Sequence, residues 1–369
     1  MANDAGPAGN EIIVAPVTIT PTKPLTPTHV KGLLWTDVLV KASRAIAPTR
    51  LVWNPRLANL TTQTTAFWHH LDRTEPGTDW AAESETSIGR RYVEFHRGRP
   101  VIAPADLDPY FARVDGSGWI HPAAQRLLAL WKVQLELLGV PDPGLTAPQP
   151  LRAGAAETIA ALGDRHLLID HRRFGGPVHL DAARWGMPVR QLVSPAGQAN
   201  YLLPVLRELL PMVRPGRLFL LVYDDGLSSD YLVLDRVLTE FGASVARLPL
   251  SRVPIGGRVA SSRHGGWQGS TLTDLAATPG SASVAAYRLG MRLYFVGMLD
   301  RGSAQSFRMD LVRRCVGRAA KILARSGAAM PACPAPRVPA GYVDPHRLTT
   351  SLFGSPVRPL SPALREVFT

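Results

Sequence analysis

Thr26, Thr28 and His29 stand where an apolar stretch gives way to helical spacing, in the run TPTHVKGLLWTDVL. Ahead of them EIIVAPVTI (11–19) has the β-branched composition of a buried strand, and 30–46 carries apolar residues at helical intervals. A strand that feeds a helix through a short turn leaves unpaired N–H groups and the positive end of the helix dipole facing the loop, a ready anion site. There the threonine hydroxyls can bond phosphate oxygens, and the imidazole can stabilise charge on a departing pyrophosphate. The same residues fit a plainer role, with Thr28 capping the helix and His29 on the surface.

Three more stretches carry residues suited to the same chemistry. PIGGRVASSRHGGWQGS (254–270) joins Gly-Gly pairs to Arg258, Ser261, Ser262, Arg263 and His264, a basic loop able to close over phosphates. LVYDDGLSSDY (221–231) reads as an apolar strand ending in Asp224 and Asp225, and open parallel sheets bind ligands at such C-terminal ends. One acid suits ribose hydroxyls and the other a substrate ammonium or Mg²⁺. In SPAGQANYLLP (194–204), Gln198, Asn200 and Tyr201 sit at a loop-to-helix junction where they can line a pocket. Each stretch also reads as an ordinary turn, cap or surface loop. His171 and His179, eight apart across a Gly-Gly-Pro turn, fit no standard helical metal spacing, so no metal ligands are assigned.

The elements that must position these residues follow a βαβ rhythm. Strand 11–19, helix 30–46, strand 49–54 and helix 58–72 come first, and strand 165–170, helix 200–211, strand 217–224, helix 229–241 and strand 244–250 resume it. The expected fold class is α/β: a Rossmann-like (HUP-type) parallel sheet with an inserted connective segment and a C-terminal helical segment. Its divisions are a flexible tail 1–10, a first half 11–72, an insertion 73–160 with one apolar helix at 123–139, and a second half 161–282 carrying a mobile loop 256–270. A helical segment 283–328, with amphipathic helices at 283–300 and 308–326, precedes a Pro-rich extension 329–369 expected to wrap the surface.

Composition narrows the function. The 369 residues, 46 % hydrophobic and 19 % charged, can bury a sizeable core. No apolar run is long enough to span a bilayer, and the N-terminus lacks the basic and apolar parts of a signal peptide, so a soluble cytoplasmic protein is expected. With only Cys315 and Cys333, a cysteine-built zinc site and a disulfide framework are excluded. The net charge of +12 invites a polyanion, yet only five of the 41 basic residues are lysine, a bias that a GC-rich genome also produces. The stripe Arg314, Arg318, Lys321 and Arg325 reads as a solvated helix face before it reads as an RNA contact.

Taken in order, these motifs resemble the catalytic core of class I aminoacyl-tRNA synthetases, closest to the methionyl type. Thr26-Pro27-Thr28-His29 stands at the family's His-x-Gly-His signature, followed by Asp37-Val38-Leu39. Trp185-Gly186-Met187-Pro188-Val189 matches its Trp-Gly-Ile-Pro-Val, and Tyr223-Asp224-Asp225 its strand ending in Gly-Lys-Asp. Val259-Ala260-Ser261-Ser262-Arg263-His264-Gly265 falls on the mobile Lys-Met-Ser-Lys-Ser loop. The resemblance covers roughly 11–326, with departures: only His29 of the two histidines is kept, and no lysine lies between Lys132 and Lys321. Arg258 or Arg263 would then hold the pyrophosphate, and arginine is no neutral substitute for lysine.

The resemblance implies ATP with Mg²⁺. His29, Thr26 and Thr28 would meet its phosphates and Asp225 its ribose, while Ser261, Ser262, Arg258, Arg263 and His264 would close over the pyrophosphate. Trp53, Asn54, Gln198, Asn200, Tyr201 and Asp224 would line the substrate site. After residue 326 too little chain is expected for a helical anticodon-binding domain. The implied activity is therefore amino-acid adenylation with transfer to a small amine or hydroxylamine, as in biosynthetic ligases and the synthetase-like part of hydrazine-forming enzymes, which work with a cupin partner. The alternative is a catalytically degenerate core that binds tRNA or a partner protein.

Overall fold

Residues Glu11–Pro16 form strand β1, and its alternate side chains enter two different cores. Ile12 and Val14 join one apolar cluster, Ile13 and Ala15 the other. A strand apolar on both faces must be covered on both faces, as in parallel sheets flanked by helices. The computed structural model describes residues 11–259, 262–277, 282–325, 338–339, 341–354 and 359–369.

After β1 come α1 (Pro27–Ser43), β2 (Thr49–Leu51), α2 (Arg56–Asn59), α3 (Thr62–Thr74), α4 (Glu85–Gly98), α5 (Pro104–Ser117), α6 (Pro122–Leu138) and α7 (Ala155–Asp164). Next are β3 (Leu168–Asp170), β4 (Val178–Leu180), β5 (Arg190–Val193), α8 (Leu202–Leu209), β6 (Arg217–Asp224), α9 (Ser228–Glu240) and β7 (Ser244–Leu250). The described elements close with α10 (Leu272–Ala276), α11 (Val284–Arg292), α12 (Met309–Leu323), α13 (Pro345–Thr350) and α14 (Pro362–Phe368).

The central sheet has the order β2-β1-β6-β7, and every pairing in it is parallel. This is the α/β, Rossmann-like architecture that the strand–helix rhythm predicts. One face is covered by the cluster that includes Val30, Leu34 and Val38 of α1 with Tyr287 and Met291 of α11. The other lies under Leu203 and Leu206 of α8 and Val233 and Val237 of α9. Where α11 crosses α12, a Cβ on Gly290 would lie 2.6 Å from the Val316 backbone, so only glycine permits that approach. Among the described residues no helix is long and apolar enough to cross a membrane.

Several elements differ from the sequence expectations, each for a local reason. The strand expected at 165–170 does not extend the parallel sheet; β3 pairs antiparallel with β4, and β4 with β5, in a separate three-stranded sheet. Gly175, at φ 71°, turns the chain back between β3 and β4. The helix expected at 58–72 is broken, because Thr61 accepts a hydrogen bond from the Thr64 N–H and restarts the chain as α3. In the stretch 73–160, the single expected helix is joined by α4 and α5, whose charged composition hides apolar stripes at Ile88, Tyr92 and Phe95 and at Leu107 and Val114. The helix expected at 283–300 is α11 continued by a wider π-helical turn over Leu293–Met298. Of the C-terminal extension, α13 and α14 bury Leu348 and Phe368 against the main core.

Candidate active site

Helix α1 starts at Pro27, three residues earlier than the apolar spacing suggests, because a proline needs no N–H partner in the first turn. Thr26 is its N-cap, and its backbone N–H donates to His29 Nδ1 at 3.0 Å, with the Thr26 hydroxyl 3.2 Å from the same nitrogen. This is the reciprocal half of a capping box, with histidine in the place usually held by Glu or Gln. Because Nδ1 accepts, the ring proton of neutral His29 resides on Nε2. Burial, followed by the charges of Lys23 and Arg252, lowers the His29 pKa to about 3, so the ring is neutral at physiological pH. The Thr28 hydroxyl accepts from the Val253 N–H at 3.0 Å and ties α1 to the chain just past β7.

His29 and Thr28 border a cavity of about 340 Å³ walled by cations: Lys23, Arg252, Arg258 and Arg263, with Tyr92 and Trp267. Lys23 is buried, its ammonium 5.2 Å from the centre of the Tyr92 ring, and burial with the nearby Arg263 lowers its pKa to about 8. The single carboxylate among the lining residues, Asp224, takes two hydrogen bonds from Arg252 Nε, at 2.7 and 3.0 Å. The positive charge here thus exceeds what the site's own acid can neutralise, and a polyanion would supply the balance. Beside it His96, whose pKa burial and the neighbouring Arg263, His264 and Lys23 push down to about 4, adds an uncharged ring rather than a further cation. Trp267 anchors the basic loop: it is buried against Gly89 of α4, next to Pro24.

Two further cavities adjoin this one. The larger, about 830 Å³, runs from Pro16–Thr20 past His29 and along α1, and includes Trp53, Tyr223, Asp224 and Arg252. A third, about 450 Å³, lies on the other side of β1 and is bordered by Asn200, Tyr201 and Tyr231. Gln63 borders all three cavities, and its amide donates to the Tyr92 hydroxyl. The three spaces therefore converge at the C-terminal ends of β1 and β6, where ligands of open α/β sheets bind.

No family model matches the chain, and no curated protein matches it. Solved structures do. A Campylobacter jejuni protein described as an arginyl-tRNA synthetase superposes over 82 % of this chain and 66 % of its own, at 14 % identity and a TM-score of 0.51. The arginyl-tRNA synthetase of Plasmodium falciparum superposes over 87 % of this chain and 58 % of its own, at 9 % identity and a TM-score of 0.55. This is the fold of the class I aminoacyl-tRNA synthetases. The chain spans less than two thirds of the length of both relatives, and at these identities the likeness concerns the fold.

Within this synthetase-like fold, the residues singled out from the sequence fall into three groups. Thr26, Thr28, His29, Asp224, Arg258 and Arg263 lie on one cavity. Trp53 borders the cavity of about 830 Å³, and Asn200 and Tyr201 the smaller one beyond β1. Others lie elsewhere. Asn54 is buried in a polar network, donating to Glu208 at 3.2 Å and accepting from the Arg56 N–H at 3.0 Å. Gln198 donates to the Pro104 carbonyl at 2.7 Å, and Asp225 is exposed in the turn after β6. His264 is exposed beside the cationic cavity, Ser262 contributes a backbone turn, and Ser261 lies outside the described residues.

The structure adds Lys23, Arg252, Tyr92, Gln63 and Trp267, which sequence reasoning passed over. Arg252 carried a signal, since it follows directly on a strand whose C-terminal end faces the ligand region. Lys23 carried a weaker one, as one of five lysines and set beside Pro24. Tyr92 and Gln63 had none, because they reach the site from helices whose local pattern reads only as amphipathic.

Proposed function

We propose that this chain activates an amino acid as its adenylate, using ATP, and transfers the acyl group to a small amine or hydroxylamine. One observation carries the reading: a cavity lined by Lys23, Arg252, Arg258 and Arg263 opens beside His29 and shares Gln63 with two neighbouring cavities. That arrangement suits a triphosphate next to a nucleoside and an acid. In the first step a carboxylate oxygen attacks the α-phosphorus of ATP. The bond to the bridging oxygen breaks, and pyrophosphate leaves with the bonding electrons. In the second step the acceptor nitrogen attacks the acyl carbonyl, loses its proton, and AMP departs.

His29 Nε2–H and the cationic side chains would stabilise the charge that grows on the phosphate oxygens, the dominant kind of help in such transfers. The first turn of α1 adds the positive end of the helix dipole. Among the described residues no three His, Cys, Asp or Glu side chains gather as a metal site. Were Mg²⁺ to accompany ATP, Asp224, the carboxylate that borders this cavity, would be the side chain to hold it, and the metal would supply further charge neutralisation there.

A methionyl-type ancestry, a place in specialised metabolism, a cupin-type partner and a cytoplasmic setting belong to the same proposal and rest on the order of the sequence motifs. One feature favours a second reading. Arg313, Arg314, Lys321 and Arg325 are exposed on and just beyond α12, a face suited to RNA, as a degenerate synthetase-like protein binding tRNA would need. Amino-acid-dependent exchange of labelled pyrophosphate into ATP tests the first reading, with loss of exchange expected in His29→Ala. No exchange with any acid, together with salt-steep tRNA binding, would favour the second.

A further inference from the structure

The cavity beyond β1 names its occupant by what its walls lack. Twelve of its twenty lining residues are apolar, Val52, Val205, Leu209, Leu221 and Leu234 among them, and the other eight, four threonines with Gln63, Asn200, Tyr201 and Tyr231, are polar but uncharged. Its volume of about 450 Å³ holds a side chain as large as that of phenylalanine with room for its backbone atoms. Among the described residues no Asp, Glu, Lys, Arg or His lines it. The carboxylate nearest in the hydrogen-bond network is already satisfied: Asp230 accepts from the Tyr201 hydroxyl at 2.7 Å and from Arg190 Nε at 2.8 Å. The phenol also keeps its proton, because burial and then Asp230 raise its pKa well above the usual tyrosine value.

We infer that the acyl substrate carries an uncharged, apolar side chain of leucine-to-phenylalanine size. The inference rests on the adenylate-forming reading for its reaction, and on this cavity alone for its side chain. A guanidinium, ammonium or carboxylate placed among these walls would lose its water and meet no countercharge, which strongly disfavours binding. An apolar group would gain in proportion to the area it removes from water. The structural relatives are arginyl-tRNA synthetases by name, so the chain shares their fold and departs from their substrate.

Two measurements on the wild-type protein test this. Pyrophosphate exchange is run with leucine, methionine, phenylalanine, arginine, lysine and glutamate. Calorimetry is run with the leucyl, phenylalanyl and arginyl sulfamoyl adenosines, inert mimics of the adenylates that require no chemistry. An apolar acid should exceed each charged acid by about 100-fold in kcat/KM, and an apolar mimic should bind about 100-fold tighter than the arginyl one. A charged acid or the arginyl mimic equal to or better than every apolar one overturns the inference. Apolar mimics that bind tighter while no acid supports exchange leave the side-chain inference standing and remove the adenylation reading. If no mimic binds, both fall.

Val205→Asp, at a half-buried position of α8 on the cavity wall, should shift the ratio of mimic affinities at least about tenfold toward the arginyl form. An unchanged ratio in a folded variant also overturns the inference. Should that variant fail to fold, the wild-type panel decides.

Discussion

The Thr26 N–H donates to His29 Nδ1 at 3.0 Å, so the nitrogen that closes the first turn of α1 is distinct from the one left to meet a ligand. In the proposed role, one imidazole both closes the helix turn and meets a ligand, one function on each ring nitrogen. Replacing it removes both. His29→Ala should lower the pyrophosphate-exchange rate by about 10²–10³, the usual cost of losing one donor to a developing oxyanion, and should cost about 1 kcal/mol through the cap. Exchange assays and urea titrations separate the two effects, and a rate within a factor of two of wild type would remove His29 from the chemistry.

The same histidine makes a pH prediction for stability. Its folded pKa of about 3 lies below the unfolded value of 6.5, so the unfolded chain binds the proton more readily between those limits. The contribution is fully present above about pH 6.5 and is lost as pH falls toward 3. In His29→Ala the urea midpoint should decline less between pH 6.5 and 4 than in the wild type. Parallel declines would show that His29 is not the group responsible.

Lys23 titrates at higher pH and in the same direction. Its folded pKa of about 8 lies below the ordinary lysine value of 10.5, so the stability its burial removes returns as pH rises from about 8 to 10.5. Over the same interval the site loses a cation. Tripolyphosphate affinity, measured by calorimetry, should therefore fall as pH passes through 8, and Lys23→Met should bind about 10- to 100-fold more weakly below pH 8 and lose that dependence. A variant with the wild-type pH profile would place the titration elsewhere.

Gly89 is the hinge of a three-part contact. A Cβ there would lie 2.5 Å from Pro24 Cδ and 3.0 Å from the Trp267 ring. In an ordinary helix Gly→Ala gains about 1 kcal/mol; at this position the added methyl must push apart the segment that carries Lys23 and the loop that carries Arg263. Gly89→Ala should therefore lower tripolyphosphate affinity while leaving far-UV circular dichroism unchanged. Unaltered affinity would mean that the loop's position against α4 does not matter to the site.

Asp37, which the sequence placed in a helix after the signature, supports the site from below. It pairs with Lys41 at 3.0 Å and with Arg292, whose side chain is 0 % exposed. Arg292 also donates to the Leu138 carbonyl at 2.9 Å, so this cluster ties α1, α6 and α11 together. Removing one partner of a buried pair leaves the other charge uncompensated, and Asp37→Ala should cost about 3–5 kcal/mol in chemical denaturation. A loss below about 1 kcal/mol would contradict that role.

Legibility followed sequence locality. The parallel sheet could be read because its central strands, β1 and β6, are apolar runs bounded by turns, and because Asp224 sits where such a strand ends. Thr26 to His29 could be read as one unit because cap and helix are adjacent. The antiparallel β3-β4-β5 sheet was misplaced because a short apolar run carries no mark of its partner's direction; Gly175 alone turned it back. Asn54 reads as a pocket residue by its type, whereas its partner Glu208 lies 154 residues further along the chain and is invisible from its neighbours. Lys23, Tyr92 and Gln63 meet only through tertiary packing, so nothing in their local sequence announces the cavity they share.

Gln63 gives that shared cavity a thermodynamic consequence. One amide borders all three cavities, so on the proposed reading its rotamer in one ligand's presence is the rotamer the next ligand meets. Binding at the three places would then be coupled through that side chain, and coupling is reciprocal: whatever factor an acid imposed on nucleotide affinity, the nucleotide would impose on the acid.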